Sequence, residues 1–310
     1  MNGSERKTSG VILVFVDGLG LGADDPAINP LARAEAMPRL TLRYGCRLTA
    51  EATPLQTELC GSVPIDAVLS VAGLPQSATG QTTLLTGINA QAALGHHANG
   101  FPGQALQSIL KERSIFRQLA ALNLRGTFAN AFTAEYFAAA AVARWRYSAT
   151  TLAALAGGVR LRFLEELLSG QAVYQDLTRE ALRERGYDVP CIAPGEAGVH
   201  LARIARGYDF TLFEYFQTDI TGHSQAMEQA LHRLSDLDAF LDSLLGLVDP
   251  GKILVILASD HGNIEDLSLG SHTANPVPVL AFGAGAADFL GGLTRLDEVT
   301  PRIVDTLCPL

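Results

Sequence analysis

The chain has 310 residues, 48% of them hydrophobic, enough to bury a large core in one domain or in a domain carrying an insert. Its formal net charge of −9 excludes a general nucleic-acid binder, which needs a basic face to replace phosphate counterions. The longest apolar runs, at 11–16 and 137–143, are far shorter than the ~20 residues of a membrane span, so no membrane crossing is expected. No secretory pattern precedes the first run, and a cytoplasmic location follows as an expectation. Cys46, Cys60, Cys191 and Cys308 form no CxxC pair and read as reduced thiols.

The first predicted element is VILVFV at 11–16, apolar without alternation, as in a central parallel strand covered on both faces. It runs into Asp17 and then GLGLG, whose spacing is not the GxGxxG of a dinucleotide site. The segment GLPQSATGQTTLLTG at 73–87 predicts a helix beginning near Ser77. Such a start aims free N–H groups and the positive end of the helix dipole at a bound phosphate. The segment lacks both a P-loop lysine and the GxSxG elbow of serine hydrolases. Ser77 is the candidate nucleophile and Thr79 its substitute, although a serine here also suits a simple helix cap. His96 and His97, in the loop GHHANGFPG, are candidate substrate contacts, and a helical stretch covers 104–122.

Residues 144–190 read as short helices broken by Gly157, Gly158, Gly170 and Gly186, with no convincing strand. They are expected to form a small helical cap inserted between core segments 1–143 and 191–310. Arg144, Arg146, Arg160 and Arg162 make a basic island there, and guanidinium forks suit phosphate or carboxylate groups. Arg144 and Arg146 are thus candidate substrate clamps, with solvated surface as the plainer alternative. Beyond the cap, FTLFEYF at 210–216 leads to Asp219 and His223, and a helix covers 225–247. ILVILA at 253–258 leads to Asp260 and His261, and His272 precedes the strand-like VPVLAF at 277–282. His200 and His232 fall within helical patterns and read as structural.

Strands alternating with helices define an α/β fold, a three-layer α/β/α sandwich with a mostly parallel central sheet. The carboxyl ends of parallel strands share one edge, so Asp17, Asp219 and Asp260 should converge. Crowded carboxylates repel one another unless cations neutralise them, and convergence therefore predicts metal. One such aspartate alone would read as a cap or turn former. With His223, His261 and His272 close by, the mixed oxygen and nitrogen donors suit zinc or manganese. Asn263 and Asn275 are expected to orient these ligands.

At these residues the sequence resembles the alkaline phosphatase superfamily. VFVDGLGLG, the Ser77 segment, TDITGHS, SDHGNIED and SHTANPVP stand in that family's order across residues 11–282. SDHGN and HTANPVP resemble its branch of cofactor-independent phosphoglycerate mutase and phosphopentomutase. The resemblance implies two divalent ions, one held by Asp17, Ser77, Asp260 and His261, the other by Asp219, His223 and His272. It also implies in-line attack by Ser77 on a small phosphorylated substrate and a phosphoseryl intermediate. Three aspartates and one alkoxide would then balance the two dications. The chain departs from the mutases in its shorter length and in Gln81, where both mutase groups carry histidine. A phosphomonoesterase is the expected activity, with a phosphomutase or phosphotransferase and a catalytically silent metal-binding protein as alternatives. The substrate and the oligomeric state are left open.

Overall fold

In a computed structural model of the chain, the described residues are 8–57, 60–142 and 147–308, the side chains of 139–142 excepted. Seven strands form one sheet: β1 (Gly10–Val16), β2 (Leu55–Gln56), β3 (Cys60–Ile65), β4 (Gly126–Phe128), β5 (Phe210–Tyr215), β6 (Ile253–Ala258) and β7 (Val277–Gly283). Their order is β2-β3-β7-β6-β1-β5-β4. β4, β5, β1 and β6 pair in parallel, whereas β7 and β2 run against their neighbours.

The two central strands bury side chains on both faces. Ile12, Val14 and Val16 of β1 enter one core with Val255 and Leu257 of β6, while Val11, Leu13 and Phe15 enter the other with Leu254 and Ile256. That is why neither run alternates in hydropathy. The first core is covered by α1 (Pro38–Tyr44), α10 (Pro194–Ala205) and α12 (Met227–Leu247). The second is covered by α2 (Ser77–Thr86), α4 (Gln104–Arg113), α5 (Ile115–Ala121), α7 (Ala149–Ala156), α13 (Ala286–Leu290) and α14 (Val299–Leu307). The expected α/β/α sandwich is the observed fold. Among the described residues no helix is long and apolar enough to cross a membrane.

Short β2, β3 and β4 carry little sequence signal. β3 contains Pro64, which reads against a strand, yet it faces Pro278 of β7 in register, so the two missing N–H donors fall at one position of the ladder. The region read as an insert divides in two. Ala149, Ala153, Ala154 and Leu161 pack into the sheet-covering core. Leu167, Ala172, Tyr174, Leu182 and Val189 instead form a small core of their own with Ala131, around α8 (Leu164–Leu168) and α9 (Glu180–Glu184). α6 (Ala134–Val142) lies between β4 and this region.

Candidate active site

β1, β5 and β6 lie side by side, with Val16 opposite Tyr215 and Phe15 opposite Ala258. Their carboxyl ends therefore bring Asp17, the start of α11 (Gln217–Ser224) and the Asp260-His261 pair to one edge. α11 carries Asp219 and His223 four residues apart, hence on one face. His223 Nε2 is 3.6 Å and His272 Nε2 3.4 Å from Asp219 Oδ1. His261 Nε2 lies 3.2 Å from Asp17 Oδ1, 3.5 Å from Asp260 Oδ2 and 3.0 Å from Ser77 Oγ. Residues far apart in sequence thus gather in one place. Ser77 is the first residue of α2, and the N-cap position belongs to Gln76, so its hydroxyl faces His261 instead of capping the helix.

Close backbone packing makes this possible. Gly18 has φ +69°, and a Cβ there would stand 2.9 Å from the Asp219 Cβ. Only glycine lets β1's exit loop pass so close to α11. Asn263 Nδ2 donates to Asp219 Oδ1 at 2.7 Å, and Gln81 Nε2 donates to Asp17 Oδ2 at 3.0 Å, each fixing one carboxylate oxygen. Beneath them lies Glu265, 1% exposed. It accepts from Gly20 N (3.0 Å), Asn263 N (2.7 Å), Asn275 Nδ2 (3.1 Å) and the Thr273 hydroxyl. One carboxylate therefore ties together the three loops that carry Asp17, Asp260-His261 and His272.

The donor set fits divalent metal. Each of the three imidazoles sets Nδ1 against a backbone carbonyl: His272 on Pro75 at 3.0 Å, His223 on Gly270 at 3.2 Å and His261 on Gly262 at 3.4 Å. A carbonyl only accepts, so Nδ1 donates to it and Nε2 is the inward nitrogen that a metal would take. Asp17 Oδ1 and Asp260 Oδ2 are buried without any hydrogen-bond partner. The ligand atoms of Asp17, Asp260 and His261 lie within 4.8 Å of one another, as do those of Asp219, His261 and His272. Without cations, protons must offset the crowding. Burial, then the Asp17 charge, pushes the Asp260 carboxyl well above the usual carboxylate range. Burial pulls His261 down, but Asp260 and Asp17 outweigh it and raise the imidazole to about 10. Burial also opposes ionisation of Asp219, yet His272 and the His261 charge hold it at about 2.

A cavity of about 460 Å3 opens onto Asp17, Ser77 and Asp219. Thr79 does not line it: its hydroxyl donates to Gln76 O and accepts from Ala98 N, which ties α2 to the loop after α3 (Ala90–Leu94). His96 is exposed and His97 Nε2 sits 3.1 Å from Val71 O, so neither lines it, although Asn99 and Phe101 of the same loop do. Arg144 and Arg146 lie outside the described residues. Arg160 pairs with Glu166 at the surface. Arg162 is buried and braces the backbone, donating to Phe128 O, Gln171 O and Thr127 Oγ1. Among the described residues the guanidinium lining the cavity is that of Arg185, which the sequence did not single out. Glu214 was missed too. It lies inside β5, accepts from Thr150 Oγ1 at 2.8 Å and lines the cavity beside Asp17. Burial raises its carboxyl to about 8, against the Thr150 hydrogen bond and with help from Asp17.

Comparison with known proteins agrees with this geometry. Residues 198–308 match the family model of the Metalloenzyme superfamily. The 2,3-bisphosphoglycerate-independent phosphoglycerate mutase of Paracoccus denitrificans is 31% identical over 131 residues, 39% of this chain and 25% of the mutase. That of Gloeothece citriformis is 31% identical over 121 residues, 34% of this chain and 23% of the mutase. The matched part thus spans about a quarter of these curated relatives. The alkaline phosphatase of the Antarctic bacterium TAB5 shares the fold, with a TM-score of 0.56 and 16% identity across 97% of this chain and 98% of that one. The Thermus thermophilus alkaline phosphatase gives 0.55 and 12% across 97% and 91%. Residues 198–308 thus carry the Metalloenzyme superfamily pattern, on a fold shared with alkaline phosphatases and beside a donor set that fits divalent metal. The segments that align are similar in sequence to phosphoglycerate mutases.

Proposed function

We propose that the chain is a two-metal phosphomonoesterase acting on a small phosphorylated metabolite through a phosphoserine on Ser77. The observation that carries this reading is Ser77 Oγ, 3.0 Å from His261 Nε2, at the head of α2 and on the cavity. Asp17, Ser77, Asp260 and His261 would hold one ion, and Asp219, His223 and His272 the other, with manganese or zinc suited to the donors. Bound there, such ions lower the pKa of a serine hydroxyl and offset phosphoryl charge.

The chain's own residues do the rest. Ser77 Oγ attacks phosphorus, the bond from phosphorus to the ester oxygen breaks, and the alcohol leaves with a proton. Water then cleaves the phosphoserine, yielding inorganic phosphate and restoring the Ser77 proton. The head of α2 presents N–H groups and a favourable dipole to the phosphoryl oxygens. Gln81 holds Asp17 and Asn263 holds Asp219 throughout. The small core around α8 and α9, which carries Tyr174 to the cavity, acts as the cap.

The identity to phosphoglycerate mutases favours a second reading, in which the phosphoryl group returns to another hydroxyl instead of water. Two features support hydrolysis: the limited cap, and Gln81 committed to Asp17 where the mutases it resembles carry histidine. Incubation with phosphorylated sugars and glycerates, scoring free phosphate against isomer, separates the two. Isomer formed without phosphate overturns the phosphomonoesterase reading. The Ser77→Ala variant should lose at least about a thousandfold in kcat.

A further inference from the structure

The cavity is far larger than a phosphoryl group, and its walls away from the metal-ligand residues have a distinct chemistry. One wall is aromatic. Phe132 and Tyr136 lie with ring centroids 5.2 Å apart, and Phe132 is anchored edge-on against buried Phe128 at 5.8 Å. Tyr136 is pinned by its hydroxyl, which accepts from Ser148 N at 3.0 Å. Phe216 and Ile220, on either side of Asp219 in sequence, also line the cavity, as does Phe101 from the loop after α3. Phe101 is 41% exposed and Ile220 53%. Lone exposed apolar side chains are ordinary, but these two converge on one cavity that already has an aromatic wall.

Its polar lining is mostly uncharged. Asn99, Thr133 and Gln175 offer donors and acceptors around the aromatic surface. Among the described lining residues Arg185 is the one cation, and its guanidinium is engaged, donating to Tyr174 OH at 3.3 Å and lying 5.6 Å from the Tyr187 ring. Glu214 in the same lining offers no positive charge to pair with a second anionic group of a ligand.

We propose that the cavity selects a phosphomonoester whose alcohol carries a flat, uncharged ring, an aryl or nucleoside type, stacked against Phe132 and Tyr136 and covered by Phe101. The inference rests on the phosphomonoesterase reading and deepens it. A phosphorylated acid such as a glycerate brings a carboxylate that the described lining, with Arg185 already engaged, does not match.

The test compares pairs with the same primary phosphate ester, so that leaving-group chemistry cancels. With manganese- or zinc-loaded enzyme, kcat/KM is measured for a nucleoside 5′-monophosphate against ribose 5-phosphate, and for benzyl phosphate against ethyl phosphate. The ring-bearing member should lead by at least about fivefold, the scale of one aromatic stack. A lead in both pairs assigns any aryl group, and a lead in the first alone assigns a nucleoside. Phe101→Ala should cut the preference roughly threefold, with thermal unfolding confirming the fold. Equal rates within both pairs, or 3-phosphoglycerate as the preferred source of phosphate, overturns the inference and leaves the phosphatase reading standing. Phosphate released from no substrate overturns both.

Discussion

The Nε2 atoms of His223 and His272 stand 3.2 Å apart, while the Nδ1 atom of each is committed to a backbone carbonyl. Two inward lone pairs at that distance repel unless a proton or a cation sits between them. His272→Ala should therefore lower bound metal from two ions per chain to one. Metal analysis after reconstitution with zinc or manganese checks this, and activity should fall at least about a hundredfold. An unchanged content of two ions would place the second elsewhere.

Loading the site must also move protons. His261 is raised to about 10 and Asp260 lies above its usual range, so at pH 7 the metal-free chain holds protons that ligation has to displace. Affinity should rise with pH, by up to about tenfold per unit for each proton released. Calorimetric titration in two buffers of different ionisation enthalpy reads the proton count. Identical heats in both would contradict the assignment.

Glu265 gives a prediction for stability. Glu265→Ala strands buried donors on three loops, at about 1–3 kcal/mol each, so a loss of at least about 3 kcal/mol is expected in denaturant unfolding. Glu265→Gln keeps the shape and should lose less, yet bind metal roughly tenfold more weakly, because the loops bearing the ligands are held less firmly. Wild-type metal affinity in the Gln variant would show that the residue serves the fold alone.

Glu214 predicts a slope of stability with pH. Its folded pKa is about 8 against 4.5 when unexposed to burial, as in the unfolded chain. Between those values the folded chain keeps a proton that the unfolded chain has lost, so stability falls as pH rises from 4.5 to about 8 and levels beyond. The full span is of the order of 3–5 kcal/mol. In chelator-treated protein, Glu214→Gln should flatten this decline relative to wild type. Parallel curves for the two proteins would show that Glu214 ionises normally.

Much of the fold and the convergence of the candidate site was legible because the informative residues sit where topology alone places them. VILVFV and ILVILA are apolar on both faces, Asp17 follows the first directly and Asp260 the second after Ser259, so recognising parallel strands was enough to bring the carboxylates together. Glu265 was not legible, because its partners are backbone N–H groups and side chains on other loops. Its one trace is spatial: a Cβ on Gly20 or Gly262 would fall 2.2 Å from its carboxylate oxygen. Arg162 and Arg185 show the same limit. Composition marked a basic island, but burial turned Arg162 into a brace, and the fold delivered Arg185 to the cavity. Glu214 looked like an ordinary strand residue until Thr150 and Asp17 were seen beside it.

The central claim is that Ser77, at the head of α2 and beside paired divalent ions, carries the phosphoryl group. The most direct measurement is peptide mass spectrometry on metal-loaded enzyme quenched in acid during turnover of a phosphomonoester. Phosphate is expected on the peptide containing Ser77, and none in the Ser77→Ala variant. Steady turnover with phosphate on another residue, or with no phosphorylated peptide at any quench time, would contradict it.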